Sequence, residues 1–196
     1  MEGGGVIEVD AETNEVTTAF YRIPQKPGPK ISLEEALERV KMWLTQRGVA
    51  LEGWILERKE ALPMMYAFRW VKRSPEGIRL LSLMYVFTDF DGSVTLFDQI
   101  DRSVKVSLKP KVSKEEAISI EIKEAKRSFE AKLSNFKVIG QQLLVWFNKK
   151  GEQELYWEVS LEGEEKEEPY KHHNRTIVWV NAHTGEVVRV MWRNRK

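Results

Sequence analysis

The sequence has no cysteine, which excludes disulfides, thiol catalysis and thiolate metal sites and leaves redox compartment undecided. Histidine is nearly as scarce, at three residues. His172 and His173 are neighbours, so in extended chain they point to opposite faces and do not grip one metal ion, and His183 falls in a turn. Zinc needs three or four convergent ligands, so no metal and no cofactor are expected, and these histidines read as solvated loop residues. Excess charge is missing as well. Lys and Arg number 31 against 30 Asp and Glu, a net charge of +1, which gives no global field toward nucleic acid or anionic lipid. No stretch reaches the roughly 18 apolar residues of a membrane span. The densest, Leu80 to Phe87, carries Ser82 and reads as a strand. Met1-Glu2-Gly3-Gly4-Gly5 is neither a signal nor a transit peptide. Also absent are His-Glu-x-x-His, a Gly-x-Ser-x-Gly elbow, a phosphate-binding loop and a dinucleotide glycine fingerprint. Carboxylates are plentiful but nothing singles out an acid–base pair, so a non-enzyme is expected.

What the chain does have is one phrase written three times. Val9-Asp10-Ala11-Glu12-Thr13-Asn14-Glu15-Val16 stands near the start and Val180-Asn181-Ala182-His183-Thr184-Gly185-Glu186-Val187 near the end. A looser copy, Phe87-Thr88-Asp89-Phe90-Asp91-Gly92-Ser93-Val94, lies between them. Each joins two apolar runs through Asp, Asn, Thr or Gly. Asp and Asn close such turns through their own side chains, and Gly supplies positive φ without steric cost. Turn chemistry therefore suffices for Asp10, Thr13, Asn14, Asp89, Asp91, Gly92, Asn181, Thr184 and Gly185. Asp89 and Asp91 lack the ligand spacing of a calcium loop. A second phrase repeats too: Ser113-Lys114-Glu115-Glu116-Ala117 lies 81 positions after Ser32-Leu33-Glu34-Glu35-Ala36. Both fit a capping box that opens a helix. Repetition at this scale governs the whole architecture.

The remaining pattern places the elements. A hairpin is expected over Val6 to Ile23, then a stiff Pro24-to-Pro29 linker. A helix over about Leu33 to Arg47 aligns Leu33, Leu37, Val40 and Leu44, with Gly48 as its stop. Strands follow near Trp54–Glu57, Met65–Lys72, Ile78–Phe87 and Ser93–Ile100. The second helix, about Lys114 to Leu133, turns Ala117, Ile118, Ile122, Ala125, Phe129 and Leu133 inward. Strands near Lys137–Asn148, Glu152–Leu161, Thr176–Asn181 and Glu186–Trp192 follow, and Gly163 to Tyr170, rich in Glu, reads as a solvated loop. The domains expected are a hairpin at 1–23, a linker at 24–30, a unit at 31–104, a linker at 105–111 and a unit at 112–196. The fold class is α+β, each unit a helix packed on an antiparallel meander. The opening hairpin, with no helix before it, reads as the tail of a preceding unit, with any export signal further upstream.

Three features resemble a known family. Ser-x-Glu-Glu-Ala opens a helix, Tyr156-Trp157-Glu158-Val159 forms an aromatic-rich strand, and Val180 to Val187 closes the unit. Together they resemble the PepSY domain of peptidase propeptides and YpeB, and more closely its tandem form in YcdB/YcdC repeat proteins. The resemblance covers residues 31–100 and 112–192, plus a closing hairpin at 6–21. The chain departs from the motif at Asn14, at Asn181 and in the Asp89-Phe90-Asp91-Gly92 turn. The resemblance implies a non-catalytic module of the bacterial cell envelope or exterior, binding a protein or peptide and restraining or regulating a peptidase. Two other classes stay open: a structural spacer of a larger surface protein, and a small-ligand binder on a concave sheet face. No nucleic acid partner is implied, membrane association would need a segment outside this chain, and bare strand edges would allow dimerisation.

Seven tryptophans in 196 residues give the sharpest lead to a surface. Trp43, Trp157 and Trp179 fall on core-facing positions. Trp54, Trp70, Trp146 and Trp192 lie on strands apolar on both faces, and are the candidates for contact with a partner.

Overall fold

In a computed structural model of the chain, the described residues are 5–9, 16–21, 28–129, 133–165 and 173–193. The molecule divides into two compact units. One comprises Met1–Arg73 and Leu80–Ser103, the other Ser74–Arg79 and Val104–Lys196. The fold is α+β, with two helices packed on β-sheet.

The first unit contains β1 (Gly5–Val9), β2 (Val16–Tyr21), α1 (Leu33–Gln46), β3 (Ile55–Ala61), β4 (Tyr66–Arg73), most of β5 (Arg79–Thr88) and β6 (Val94–Asp101). Its strands run in the order β1-β2-β6-β5-β4-β3. The β1–β2, β2–β6, β5–β6 and β3–β4 ladders are antiparallel. Helix α1 starts where Ser32 Oγ accepts from the Glu35 backbone N–H at 3.1 Å, and it stops at Gly48, whose φ of 73° is the left-handed value a C′ residue needs. Only half of the expected capping box forms, because Glu35 Oε1 takes Arg39 Nη2 at 3.0 Å. Ala36, Leu37, Val40 and Leu44 are buried against Phe68, Trp70, Met84, Val86 and Phe97. Each large aliphatic removed from water here contributes about 1.5–3 kcal/mol before the entropy of ordering it is subtracted.

The second unit contains α2 (Lys114–Phe129), β7 (Leu133–Phe147), β8 (Gln153–Glu165), β9 (His173–Asn181) and β10 (Val187–Arg193). The four strands form an antiparallel meander in sequence order. Here the capping box is complete: Ser113 Oγ accepts from the Glu116 N–H at 3.2 Å, and Glu116 Oε2 accepts from the Ser113 N–H at 2.8 Å. Ala125, Val159 and Leu161 pack together with Ile118 and Ile122 between helix and sheet. On the other sheet face Leu144, Tyr156, Ile177 and Trp179 pack together, bordered by Trp146, Val188 and Met191.

Several boundaries depart from the expectation. The helical pattern carried to Leu133 ends at Phe129, and Leu133 opens β7 with 1% exposure. Its apolar spacing serves the sheet core instead. The loop expected from Gly163 begins as strand, since Gly163 and Glu164 pair with Asn174 and His173. The partner strand supplies hydrogen bonds that acidic composition does not reveal. His173 therefore opens a strand rather than lying in a loop, while His172, Glu167, Glu168 and Tyr170 lie outside the described residues.

Candidate partner-binding edge and the repeated turns

The first copy of the repeated turn, with Asp10, Thr13 and Asn14, lies outside the described residues. The other two are fully built. In the β5–β6 turn, Asp89 N–H donates to Ser93 O at 2.9 Å and Gly92 N–H to Asp89 O at 3.0 Å. Asp91 Oδ1 accepts from Ser93 N–H at 2.9 Å, and Oδ2 accepts from Gly28 N–H at 3.0 Å. The Ser93 N–H is the main reason the Asp91 carboxyl titrates below the usual range; partial burial opposes it, and Gly28 and Arg39 assist. In the β9–β10 turn, Asn181 Oδ1 accepts from His183 and Thr184 N–H at 2.8 and 3.0 Å, and Gly185 N–H donates to Asn181 O at 2.9 Å. The side-chain oxygens of Asp91 and Asn181 are thus spent on backbone. Asp89 is placed in the turn through its main chain, and the Thr184 hydroxyl accepts from Glu186 N–H at 3.3 Å.

Both turns do a second thing that the sequence did not disclose. Each grips the residue just before its unit's helix cap. In the first unit Ile31 N–H donates to Phe90 O at 2.9 Å, and the Tyr66 hydroxyl donates to Ile31 O at 2.6 Å. In the second, Lys111 and Val112 N–H donate to Ala182 O at 2.8 and 2.9 Å, and Trp157 Nε1–H donates to Val112 O at 2.9 Å. Arg39 of α1 adds a bond from Nη1 to Asp91 O at 2.8 Å. Gly92 and Gly185 hold φ of 82° and 78°. A Cβ on Gly92 would lie 2.8 Å from Ile31 Cδ1 and 2.9 Å from Arg39 Cδ. The turns are clasps that fasten a hairpin to a helix start.

The four candidate tryptophans scatter. Trp70 is 2% exposed inside the first core, so it offers no surface to a partner; the inward face of β4 claimed it. Trp54 is half-buried against the same core, with Lys72 Nζ 4.9 Å from its ring centre. Trp146 is half-buried and stands edge-on to Trp179 at 6.4 Å. The backbone of Trp192 pairs with Thr176 in β10, and its side chain lies outside the described residues. Among the residues expected in the core, Trp179 is 7% exposed, whereas Trp43 and Trp157 are half-buried.

Three strands pair on one side only among the described residues: β1, most of whose side chains lie outside the described residues, β3 and β10. The β3 edge is charged. Arg58 pairs with Glu60 at 2.6 Å, Lys59 pairs with Glu34, and a register shift falls between Leu56 and Arg58. Charge and a bulge are the usual means of blunting an edge. The β10 edge is different: Val187, Val188, Val190 and Met191 are half-buried, and Arg189 lies with its guanidinium carbon 5.3 Å from the Trp179 ring centre. An apolar outer strand with a backbone ladder on one side fits the addition of an extended peptide.

Near the other end of β8 a carboxylate cluster borders a recess of about 510 Å³ lined by Lys105, Phe147, Gly151, Glu152, Gln153 and Glu154. Burial would raise the Glu154 pKa, but donors outweigh it and the carboxyl titrates low. They are Asn148 Nδ2 at 2.9 Å, the Tyr156 hydroxyl at 2.9 Å and Asn181 Nδ2 at 2.7 Å. Burial first, then the hydrogen bond to Glu154 and the charges of Glu154 and Glu186, push the Tyr156 phenol up. This cluster was missed, although Glu154 and Tyr156 stand two apart on one strand face. No group of three or more ligating side chains converges on a metal site among the described residues. Nor, among them, is any helix long and apolar enough to cross a membrane.

Helices packed on β-sheet, each helix start fastened by a clasped hairpin, make this an α+β fold. The solved C-terminal domain of YpeB from Bacillus megaterium is similar over all of this chain and 79% of its own, with 21% identity and a TM-score of 0.60. That likeness supports the fold. An uncharacterized protein from Eubacterium rectale is similar over 96% of this chain and 76% of its own, with 12% identity and a TM-score of 0.48. No family model and no curated protein matches the chain.

Proposed function

We propose that this chain is a non-catalytic PepSY-type module, of the tandem YcdB/YcdC kind, that binds a polypeptide along the outer edge of β10. The observation that carries the reading is the half-buried apolar edge at Val187 to Met191, which no described strand covers on its outer side. Main-chain pairing would supply affinity, and the alternate side chains of β10 would supply selection. The fold likeness to a YpeB domain supports a module of the cell envelope or exterior, and the partner class it favours is a peptidase held in check.

The test pairs capture with a defect confined to the edge. The chain is used as bait on envelope and secreted fractions, and each captured peptidase is assayed for inhibition by added chain. Val190→Pro and Met191→Pro are run in parallel. Successive strand N–H groups point to opposite sides, so one of the two removes an outward donor and the other an inward one. A peptidase inhibited by the parent and released by the outward variant alone, with near-ultraviolet circular dichroism unchanged, supports the reading. Inhibition that survives both substitutions, or an absence of any inhibited peptidase, overturns it and leaves a structural spacer.

A further inference from the structure

The face of α2 that meets its sheet has an ionisable residue at its centre. Ala117, Glu121 and Ala125 follow one another at intervals of four, and all three are 0% exposed. The small alanines let the helix sit close, and that closeness shuts Glu121 in. Neither Glu121 Oε1 nor Oε2 has a hydrogen-bond partner. Helix α2 packs on β7, β8, β9 and β10. Strand pairing identifies what those strands turn toward it, because residues directly opposite each other share a face. With Leu161 and Val159 of β8 against Ala125, the same face carries Val138 and Gln141 of β7, Thr176 and Val178 of β9, and Val190 of β10. None of these is ionisable. The Thr176 hydroxyl, also 0% exposed, is likewise unpaired. Glu158 alternates onto the opposite face of β8, where Gln142 Nε2 and Trp179 Nε1 donate to it at 2.7 and 2.8 Å.

An ionised carboxylate in that position would be desolvated with no cation among the residues just named to meet it, a cost of several kcal/mol. A neutral carboxyl pays far less. We propose that α2 is locked on its sheet by a proton: Glu121 sits there as the neutral acid, and loss of that proton under alkaline conditions releases α2 and bares the apolar sheet face beneath it. Burial, helped by repulsion from Glu158, pushes the Glu121 pKa from 4.5 to about 9. The released or unfolded chain surrenders the proton near the ordinary value, while the packed chain keeps it. Between those values the packed state holds one more proton, so packing weakens as pH rises through the window and is insensitive to this group below it.

Hydrogen exchange of the α2 amides in the full chain tests the idea, with Glu121→Gln and Glu121→Leu alongside. After correction for the base-catalysed intrinsic rate, the opened fraction of α2 should rise about tenfold per pH unit between about pH 6 and about pH 9, the mark of one proton released on opening. Both variants should lose that slope, and Glu121→Leu should protect α2 more strongly than the parent at the upper end. An unchanged slope in the variants overturns the proposal. Should neither variant fold, carbon-13 titration of the Glu121 carboxyl in the parent decides: a midpoint above about 7 supports the lock, and one in the ordinary carboxylate range refutes it.

Discussion

Replacing Gly92 by Ala tests the clasp directly, and Gly53→Ala in the same unit is its control. Both residues hold positive φ, 82° and 76°, so each substitution forces an L-residue into left-handed backbone at about 1–2 kcal/mol. Both also gain the same fraction of a kcal/mol from a stiffer unfolded chain, which cancels between them. Their surroundings differ. A Cβ on Gly53 meets nothing within 4 Å, whereas one on Gly92 meets Ile31 Cδ1 at 2.8 Å and Arg39 Cδ at 2.9 Å. Ile31 is held at its N–H by Phe90 O and at its carbonyl by the Tyr66 hydroxyl, and Arg39 by Glu35 and Asp91. Ile31 Cδ1 can turn aside without touching those main-chain bonds, but Arg39 Cδ retreats only by pulling on the guanidinium that bonds Glu35 and Asp91. Crowding of this kind adds about 1–3 kcal/mol, so Gly92→Ala should cost about 2–5 kcal/mol and Gly53→Ala about 1–2. Urea unfolding followed by tryptophan fluorescence, with unchanged m, reads the difference. If Gly92→Ala proves no worse than Gly53→Ala, the turn does not grip the helix start and the clasp is wrong.

Tyr66→Phe and Trp157→Phe each delete one donor to the carbonyl before a helix cap, Ile31 O or Val112 O. Each should lower stability by about 1 kcal/mol or somewhat more, read as a shift in urea midpoint, with the Trp157 value including lost packing. On the acid side, Asp91 and Glu154 both titrate below their ordinary values. Their contribution is present above those values and lost as pH falls through the depressed ones. Asp91→Asn and Glu154→Gln should therefore flatten the decline of melting temperature below about pH 4, and a decline identical to the parent's would contradict both assignments.

The parts of the fold that were legible are those written in local chemistry. Ser32 and Ser113 mark helix starts because the cap lies within four residues of the groups it satisfies. Gly48 marks a stop because positive φ is a property of one residue. Leu133 misled because its spacing continues the apolar stripe of α2, and only the long β7–β8 ladder shows that the chain has already become strand there. Trp70 misled for a related reason: alternation cannot say which of two apolar faces meets a helix. The clasp was out of reach, since its bonds join main-chain atoms 59 and 70 positions apart (Ile31 to Phe90, Val112 to Ala182). Glu121 was within reach. Its place midway between Ala117 and Ala125 puts a carboxyl on the buried line of α2, a break in pattern visible without coordinates.

The clasp also bears on how the chain folds. Each unit's helix is fastened at its start by the unit's last hairpin, so the stretch from helix to hairpin is a loop whose two ends are tied together. Such contacts of large sequence separation are costly to close and tend to form late. On the ribosome, α2 would emerge with its cap complete but its anchor, the carbonyl of Ala182, still unmade. Until β10 has followed, the unit is a helix beside a meander without the knot that makes them one object.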